Sequence, residues 1–317
     1  MKNTSIVFKI SLALLLLFAI AAGFYLSNAL SDAEEKTYAN LAEKLILDLN
    51  SEERLIENIG VTNAIYIADN ARIKEALIKN DREAAIKELG VIFDNFSKST
   101  KIKDMKVHIH TADLRSFVRS WKLGKFGDDL SGFRNTIVSV KKSRQPVFDF
   151  EVGRMGLTLR SIVPVMQDGN YLGSLEFIQS FDNAAKHFDK KGNSHLLLMN
   201  NSLIFIATDL KEAPNVDHYK LCSKTYDSDF LKAAQAIDLD KLQEKGHLFT
   251  GEYLYTYKII KDMGNNSVGM HLMGMPSQQV RSAVEDARSS TLTMIAISVS
   301  SFVLILLFLI FFLRGRG

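Results

Sequence analysis

Leu157–Gln179 reads LTLRSIVPVMQDGNYLGSLEFIQ. Two runs rich in branched and apolar residues flank Gln167-Asp168-Gly169-Asn170, and an Asp-Gly step between such runs is a strong hairpin signal. Leu157–Met166 and Tyr171–Gln179 are therefore expected as antiparallel strands. Side chains alternate between the faces of a strand. Arg160 and Ile162 then share one face of the first strand, and Ser174, Glu176 and Ile178 share one face of the second. Arg160 and Glu176 either pair across the hairpin or face a ligand. Val147–Val152, behind Pro146, is a third strand candidate. Met105–His110 (MKVHIH) alternates as well, with Met105, Val107 and Ile109 on one face and Lys106, His108 and His110 on the other.

Helical patterns precede these strands. Ala71–Phe96 holds two short ones divided near Asn80-Asp81, residue types that cap helix starts. In Ser31–Ile59, Leu41, Leu45, Leu49, Ile56 and Ile59 recur at multiples of three to four residues with charges between them, which predicts a long amphipathic helix. Helices followed by an antiparallel sheet make an α+β pattern. A smaller unit begins near Gly192. His195–Met199 and Leu203–Thr208 flank Asn200-Asn201, a second hairpin signal. Phe230–Ile237 is helical, His247–Ile260 and Val268–Met275 are strand-like, and Pro276 is well placed to open a helix at Ser277.

Both ends are apolar. Ile10–Leu30 and Leu292–Leu313 are 21 and 22 residues long and contain no charge, enough to cross a hydrocarbon core of about 20 residues. Lys2 and Lys9 precede the first and Arg314 and Arg316 follow the second, which puts both ends in the cytoplasm and residues 31–291 outside. The long helix is expected to continue the first span without a break. A cleaved signal peptide is the competing reading of the first run. One cysteine, Cys222, excludes an intramolecular disulfide and a cysteine-rich metal cluster, and a net charge of +3 argues against a nucleic-acid binder. A large disulfide-free domain outside the membrane fits a bacterial periplasm.

His108–Arg134 (HIHTADLRSFVRSWKLGKFGDDLSGFR) concentrates the chemistry. It holds two histidines, three arginines, the only tryptophan and a paired aspartate. Residues 101–160 carry 13 Lys or Arg against 6 Asp or Glu, a local balance of +7. Arginine presents a planar fork suited to carboxylates, and Trp121 can supply an apolar wall or a cation–π partner. Arg115 and Arg119 would share a face if the segment were helical. Asp113, Asp128, Asp129 and Arg115 read equally as a salt-bridge network. His108, His110 and Asp113 are metal-ligand types, but a single short stretch without a distant fourth ligand leads to no metal assignment. Met263, Met270, Met273 and Met275 read as core packing. No phosphate loop, HExxH or G-x-S-x-G motif is present, so no enzymatic activity is expected.

HIHTADLRSFVRSW, KFGDDLSGFR, EVGRMGLTLRSIVPV and GSLEF, in this order, resemble the motifs of double Cache sensor domains of bacterial chemoreceptors and sensor kinases. The resemblance covers about a quarter of the chain. It implies a long helix leading to a membrane-distal PAS-like domain that binds the ligand, then a smaller membrane-proximal one. In amino-acid-binding members an Arg-x-Trp pair holds the ligand carboxylate, and Arg119-Ser120-Trp121 looks like that pair. Lys122 stands where the family has an aromatic, and no tyrosine and aspartate for an α-amino group can be placed, so a simpler organic anion is implied.

The expectation is an α+β fold in which two transmembrane helices bracket a long helix and two PAS-like antiparallel-sheet domains. The segments are 1–9 (cytoplasmic), 10–30 (first span), 31–190 (long helix and distal domain), 191–291 (proximal domain and exit helix), 292–313 (second span) and 314–317 (cytoplasmic again). Candidate ligand-binding residues are Arg119, Trp121, His108, His110, Arg134, Arg160 and Glu176. The chain reads as a fragment of an inner-membrane receptor that forms a homodimer, needs no cofactor, binds no nucleic acid and passes a small-ligand signal to a downstream cytoplasmic module. The alternative is a membrane-anchored periplasmic protein without signalling, such as an assembly factor or a bound enzyme.

Overall fold

The computed structural model describes residues 2–99 and 105–314. Helix α1 (Lys2–Ala68) is unbroken over 67 residues, about 100 Å at 1.5 Å per residue. α2 (Ala71–Lys79) and α3 (Arg82–Ser99) follow. Asn70 caps α2 by accepting from the backbone N–H groups of Arg72 and Ile73. At the division between the two helices, Asn80 takes a left-handed C-cap conformation and Asp81 accepts from Ala84 N at 3.0 Å. Both residues of the expected Asn80-Asp81 step thus end one helix and start the next.

A five-stranded antiparallel sheet comes next, built from β1 (Lys106–Thr111), β2 (Ser116–Arg119), β3 (Val147–Gly153), β4 (Gly156–Gln167) and β5 (Asn170–Gln179), with α4 (Asn135–Ser143) inserted before β3. The strand order is β2-β1-β5-β4-β3. The β4–β5 hairpin turns at Asp168 and Gly169, both with positive φ, as a two-residue primed turn requires.

Alternation decides what each face of this sheet meets. Val107, Ile109, Phe117, Val118, Val163, Val165, Leu175 and Phe177 form one buried core with Ala64, Ile67 and Ala68 at the end of α1, Ile73 and Ala76 of α2, and Ala85, Leu89 and Ile92 of α3. Each fully buried aliphatic side chain in that layer contributes roughly 1.5–3 kcal/mol. The opposite face is polar at its centre. It is lined at one end by a small apolar cluster of Leu114, Leu130, Ile137, Val140 and Ile162.

The remaining elements are α5 (Asp182–Lys190), β6 (Ser194–Asn200), β7 (Asn215–Val216), β8 (Tyr219–Leu221), α6 (Ser228–Ala234), α7 (Leu239–Lys245), β9 (His247–Phe249), β10 (Tyr253–Lys261), β11 (Ser267–Pro276) and α8 (Ser277–Arg314). A second sheet has the order β7-β8-β6-β11-β10-β9. The expected strand at Leu203–Thr208 is absent. Asn200 accepts from Ser202 N at 3.0 Å and starts a 3-10 turn at Asn201–Leu203, and a second such turn covers Thr208–Leu210. The partner of β6 on that side is β8 instead. The strand expected over His247–Ile260 is interrupted at Gly251, whose φ is +91°.

By contact density the chain divides into two units, one of Met1–Lys44, Lys245–Tyr255 and Met275–Gly317, the other of Leu45–Glu244 and Thr256–Gly274. In the first, Glu34 of α1 pairs with Arg288 of α8, and Tyr38 packs on Phe249 with ring centroids 5.1 Å apart. Both α1 and α8 hold a stretch long and apolar enough to cross a membrane.

In the second unit, Gly274 of β11 lies against the buried ring of Phe230, which a β-carbon would strike. Gly274→Ala is expected to lower the unfolding free energy in denaturant by about 1–3 kcal/mol, the usual cost of overpacking. A neutral substitution would contradict this packing.

Candidate functional site

Pairing of β1 with β5 sets His108 opposite Glu176 and His110 opposite Ser174, while β4 sets Ile162 opposite Glu176. All lie on the face turned away from α1, α2 and α3. His108, His110 and Glu176 have 2% exposure or less. Two arginines reach Glu176. Arg160 of β4 pairs with its Oε1, and Arg134, just before α4, brings Nη2 to 2.9 Å from the same oxygen. Arg134 Nε also donates to Glu151 Oε2, and the Thr136 hydroxyl lies 3.0 Å from both Glu151 oxygens. Two guanidiniums and two carboxylates therefore alternate in a buried ring whose charges cancel.

Glu176 Oε2 faces the other way. His108 Nδ1 and His110 Nε2 each lie 3.4 Å from it, longer than a good hydrogen bond. Their other ring nitrogens are held by hydroxyls, His108 Nε2 at 2.8 Å from Ser116 Oγ and His110 Nδ1 at 2.9 Å from Ser174 Oγ. Burial pushes the pKa of both histidines down, that of His108 further because His110 adds to the effect. Burial alone would push Glu176 up, but Arg134 and Arg160 outweigh it and hold the carboxyl well below its ordinary range. His110 Nε2, Arg160 Nε and Glu176 Oε2 are buried without a close hydrogen-bond partner, their nearest ion-pair partners standing 3.4–3.6 Å away.

The structure thus brings together five of the seven candidate residues: His108, His110, Arg134, Arg160 and Glu176. Trp121 joins their edge, its ring perpendicular to His108 at 5.8 Å. Arg119 is opposite His108 in the β1–β2 pairing, but its guanidinium is spent on Asp128, with two contacts of 2.7 Å, and on Lys125 O at 2.9 Å. Those bonds hold Asp128 down to about 2. The conditional helix through Arg115 and Arg119 is replaced by strand β2, so the two do not share a helix face. Arg115 pairs with Asp113 at 3.1 Å and Asp113 takes no part in the histidine cluster. Sequence reasoning missed Glu151, Thr136, Ser116 and Ser174. The signal for Glu151 was available: once β3 and β4 are read as a hairpin across Gly153–Gly156, Glu151 falls on the face of Arg160.

The family model for the double sensory domain of two-component sensor kinase (dCache_3) matches residues 38–280. The chain belongs to the double Cache family. No curated protein matches it in sequence. Among solved structures, the extracellular domain of the histidine kinase vpHK1S-Z8 is 13% identical, with 81% of this chain and 99% of that one covered and a TM-score of 0.48. The sensor domain of the Vibrio cholerae histidine kinase DctB is 11% identical over 75% and 98%, with a TM-score of 0.43. The sensory domain of the Campylobacter jejuni chemoreceptor Tlp3 with isoleucine bound is 11% identical over 80% and 97%, with a TM-score of 0.47. Double Cache domains are ligand-binding receptor modules, and this chain is one by its family match alone.

A second buried histidine pair was not anticipated. His195 Nε2 of β6 and His271 Nδ1 of β11 lie 2.8 Å apart, and His271 Nε2 is 3.4 Å from Glu53 of α1, which also pairs with Lys258. Phe150 and Phe181 pack against the His271 ring. Burial lowers the pKa of both histidines. A cleft of about 220 Å³ adjoins this group, lined by Glu53, Asp149, Phe150 and Lys258 among others, and burial raises Asp149 to about 6.

Four buried histidines have depressed pKa values, so the unfolded chain binds their protons first. Their contribution to stability is complete above the ordinary value of 6.5 and is lost as pH falls below it. Each costs about 1.4 kcal/mol per pH unit once the pH is well under 6.5. The unfolding temperature of the chain in detergent is expected to fall steeply between pH 7 and 5, and less steeply in His195→Gln/His271→Gln. An equal slope in the variant would contradict the assignment.

Proposed function

We propose that this double Cache domain senses a small organic anion, most simply a carboxylate, on the polar face of its first sheet, and that the signal crosses the membrane through α1 and α8. The observation that carries the reading is a buried cluster of two guanidiniums and two imidazoles on one sheet face, in which Arg160 Nε and His110 Nε2 lack a close hydrogen-bond partner. Buried polar groups are nearly always hydrogen-bonded. Buried donors without a close partner mark a place where an anion can bind. An anion that takes the arginine donors would compete with Glu151 and Glu176 for them and so loosen the ring.

The segment 121–133 runs beside this site with little regular structure and mostly exposed residues, and in this reading it is the entry route. Trp121 sits at the boundary, half-buried against His108. The division of the chain at about 190 into a distal ligand-binding domain and a proximal domain belongs to this proposal, as do an inner-membrane location, a homodimer and a downstream cytoplasmic output module. In it the ligand shifts the conformational balance only by its differential affinity for the two states. The sheet's other face packs on the end of α1, so a change in strand position is felt at the helix that leads toward the membrane.

Calorimetric titration of the full chain in detergent against a panel of small mono- and dicarboxylates is expected to find a saturable binder. Trp121→Ala and Arg134→Lys should each weaken it about tenfold or more, since a bidentate arginine is not replaced by lysine. Absence of any binder in the panel, or undiminished binding in both variants, would overturn this reading.

A further inference from the structure

We infer that His108, His110 and Glu176 form a three-ligand site for a divalent transition metal of the zinc class. One ligand atom from each residue lies within 4.8 Å of the other two. The two imidazole nitrogens are each 3.4 Å from Glu176 Oε2. In a tetrahedral site with bonds of about 2.0–2.2 Å to nitrogen and oxygen, neighbouring ligand atoms stand roughly 3.3–3.5 Å apart. The separations in the structure are thus longer than good hydrogen bonds and right for two edges of a coordination tetrahedron. The third edge, between the histidines, is within 4.8 Å.

Three further features point the same way. His110 Nε2 and Glu176 Oε2 are fully buried and unpartnered. The remaining nitrogen of each histidine is held by a serine hydroxyl, the outer-shell arrangement that orients metal-binding imidazoles. Glu176 is held in place through Oε1 by two arginines, which leaves Oε2 free for a metal. Metal binding needs deprotonated ligands, and burial keeps both imidazoles neutral. Two nitrogens and one oxygen suit zinc, cobalt or nickel better than magnesium or calcium, which favour all-oxygen shells. Water or an anion takes the fourth position and offsets the added charge.

The inference does not rest on the anion reading. The test titrates chelator-stripped full chain in detergent at pH 7.5 with Co²⁺, read by its visible absorption, and with Zn²⁺ by competition against an indicator dye. One metal per chain with a tetrahedral cobalt spectrum is expected. His110→Gln should abolish it, Ser174→Ala should weaken it by about 10–100-fold, and His271→Gln should leave it unchanged. Circular dichroism confirms folding of each variant. Lack of stoichiometric binding, persistence in His110→Gln, or equal loss in His271→Gln would overturn the site. Repeating the carboxylate titration with chelator present separates the two claims: anion binding without metal binding sinks only the metal site, and metal binding without an anion sinks only the anion reading.

Discussion

Glu176 is a carboxylate with no exposed surface, set in the middle of a sheet between two guanidiniums and two imidazoles. An ion taken out of water carries a penalty of several kcal/mol, offset only by good geometry and satisfied partners. Arg134 and Arg160 supply that offset on one oxygen, and Glu151 balances the charge they bring. The other oxygen is left to the histidines. Register follows from this arrangement. A slip of one residue between β1 and β5 would turn every side chain to the wrong face, pointing Glu176 into the helix-packed core and Leu175 or Phe177 toward the arginines.

The two faces of this sheet divide the labour of the domain. Val107, Ile109, Leu175 and Phe177 on one side bury the end of α1 with α2 and α3. His108, His110, Ser174 and Glu176 on the other make the polar site. β1 and β5 therefore contribute to both the polar cluster and the core around α1 through adjacent residues. Close-packed interiors transmit strain, and under the proposed signalling route this shared packing is what would carry a change at the ring of charges to the helix. The second histidine pair repeats the theme, since Glu53 of α1 stands beside His271.

Much of this was legible in the residues. Alternation in MKVHIH and the Asp168-Gly169 step carried strands, faces and turn, because period-two patterns and primed turns are local physics. Apolar length carried α1 and α8. Leu203–Thr208 failed because its apolar residues look strand-like while the Asn200 side chain satisfies backbone donors in a 3-10 turn, a competition that composition does not reveal. Arg119 looked like an anion holder, yet which carboxylate takes its fork depends on the path of residues 121–133, which has no periodicity to read. The roles of Thr136 and Ser116 were hidden for a similar reason, whereas Glu151 could have been found from the β3–β4 pairing. The roles of the serines come from strand pairing across distances of 8 to 64 residues, not from any motif.

A double-mutant cycle on Glu176 and Arg160, followed by chemical unfolding of the full chain, tests the central role of this ion pair. Glu176→Leu alone is expected to cost about 3–5 kcal/mol, because it strands a buried guanidinium charge. Adding Arg160→Met should recover a large part of that loss, with Arg134 still paired to Glu151. Independent, additive effects of the two substitutions, or a cost below about 1 kcal/mol for Glu176→Leu, would contradict the account.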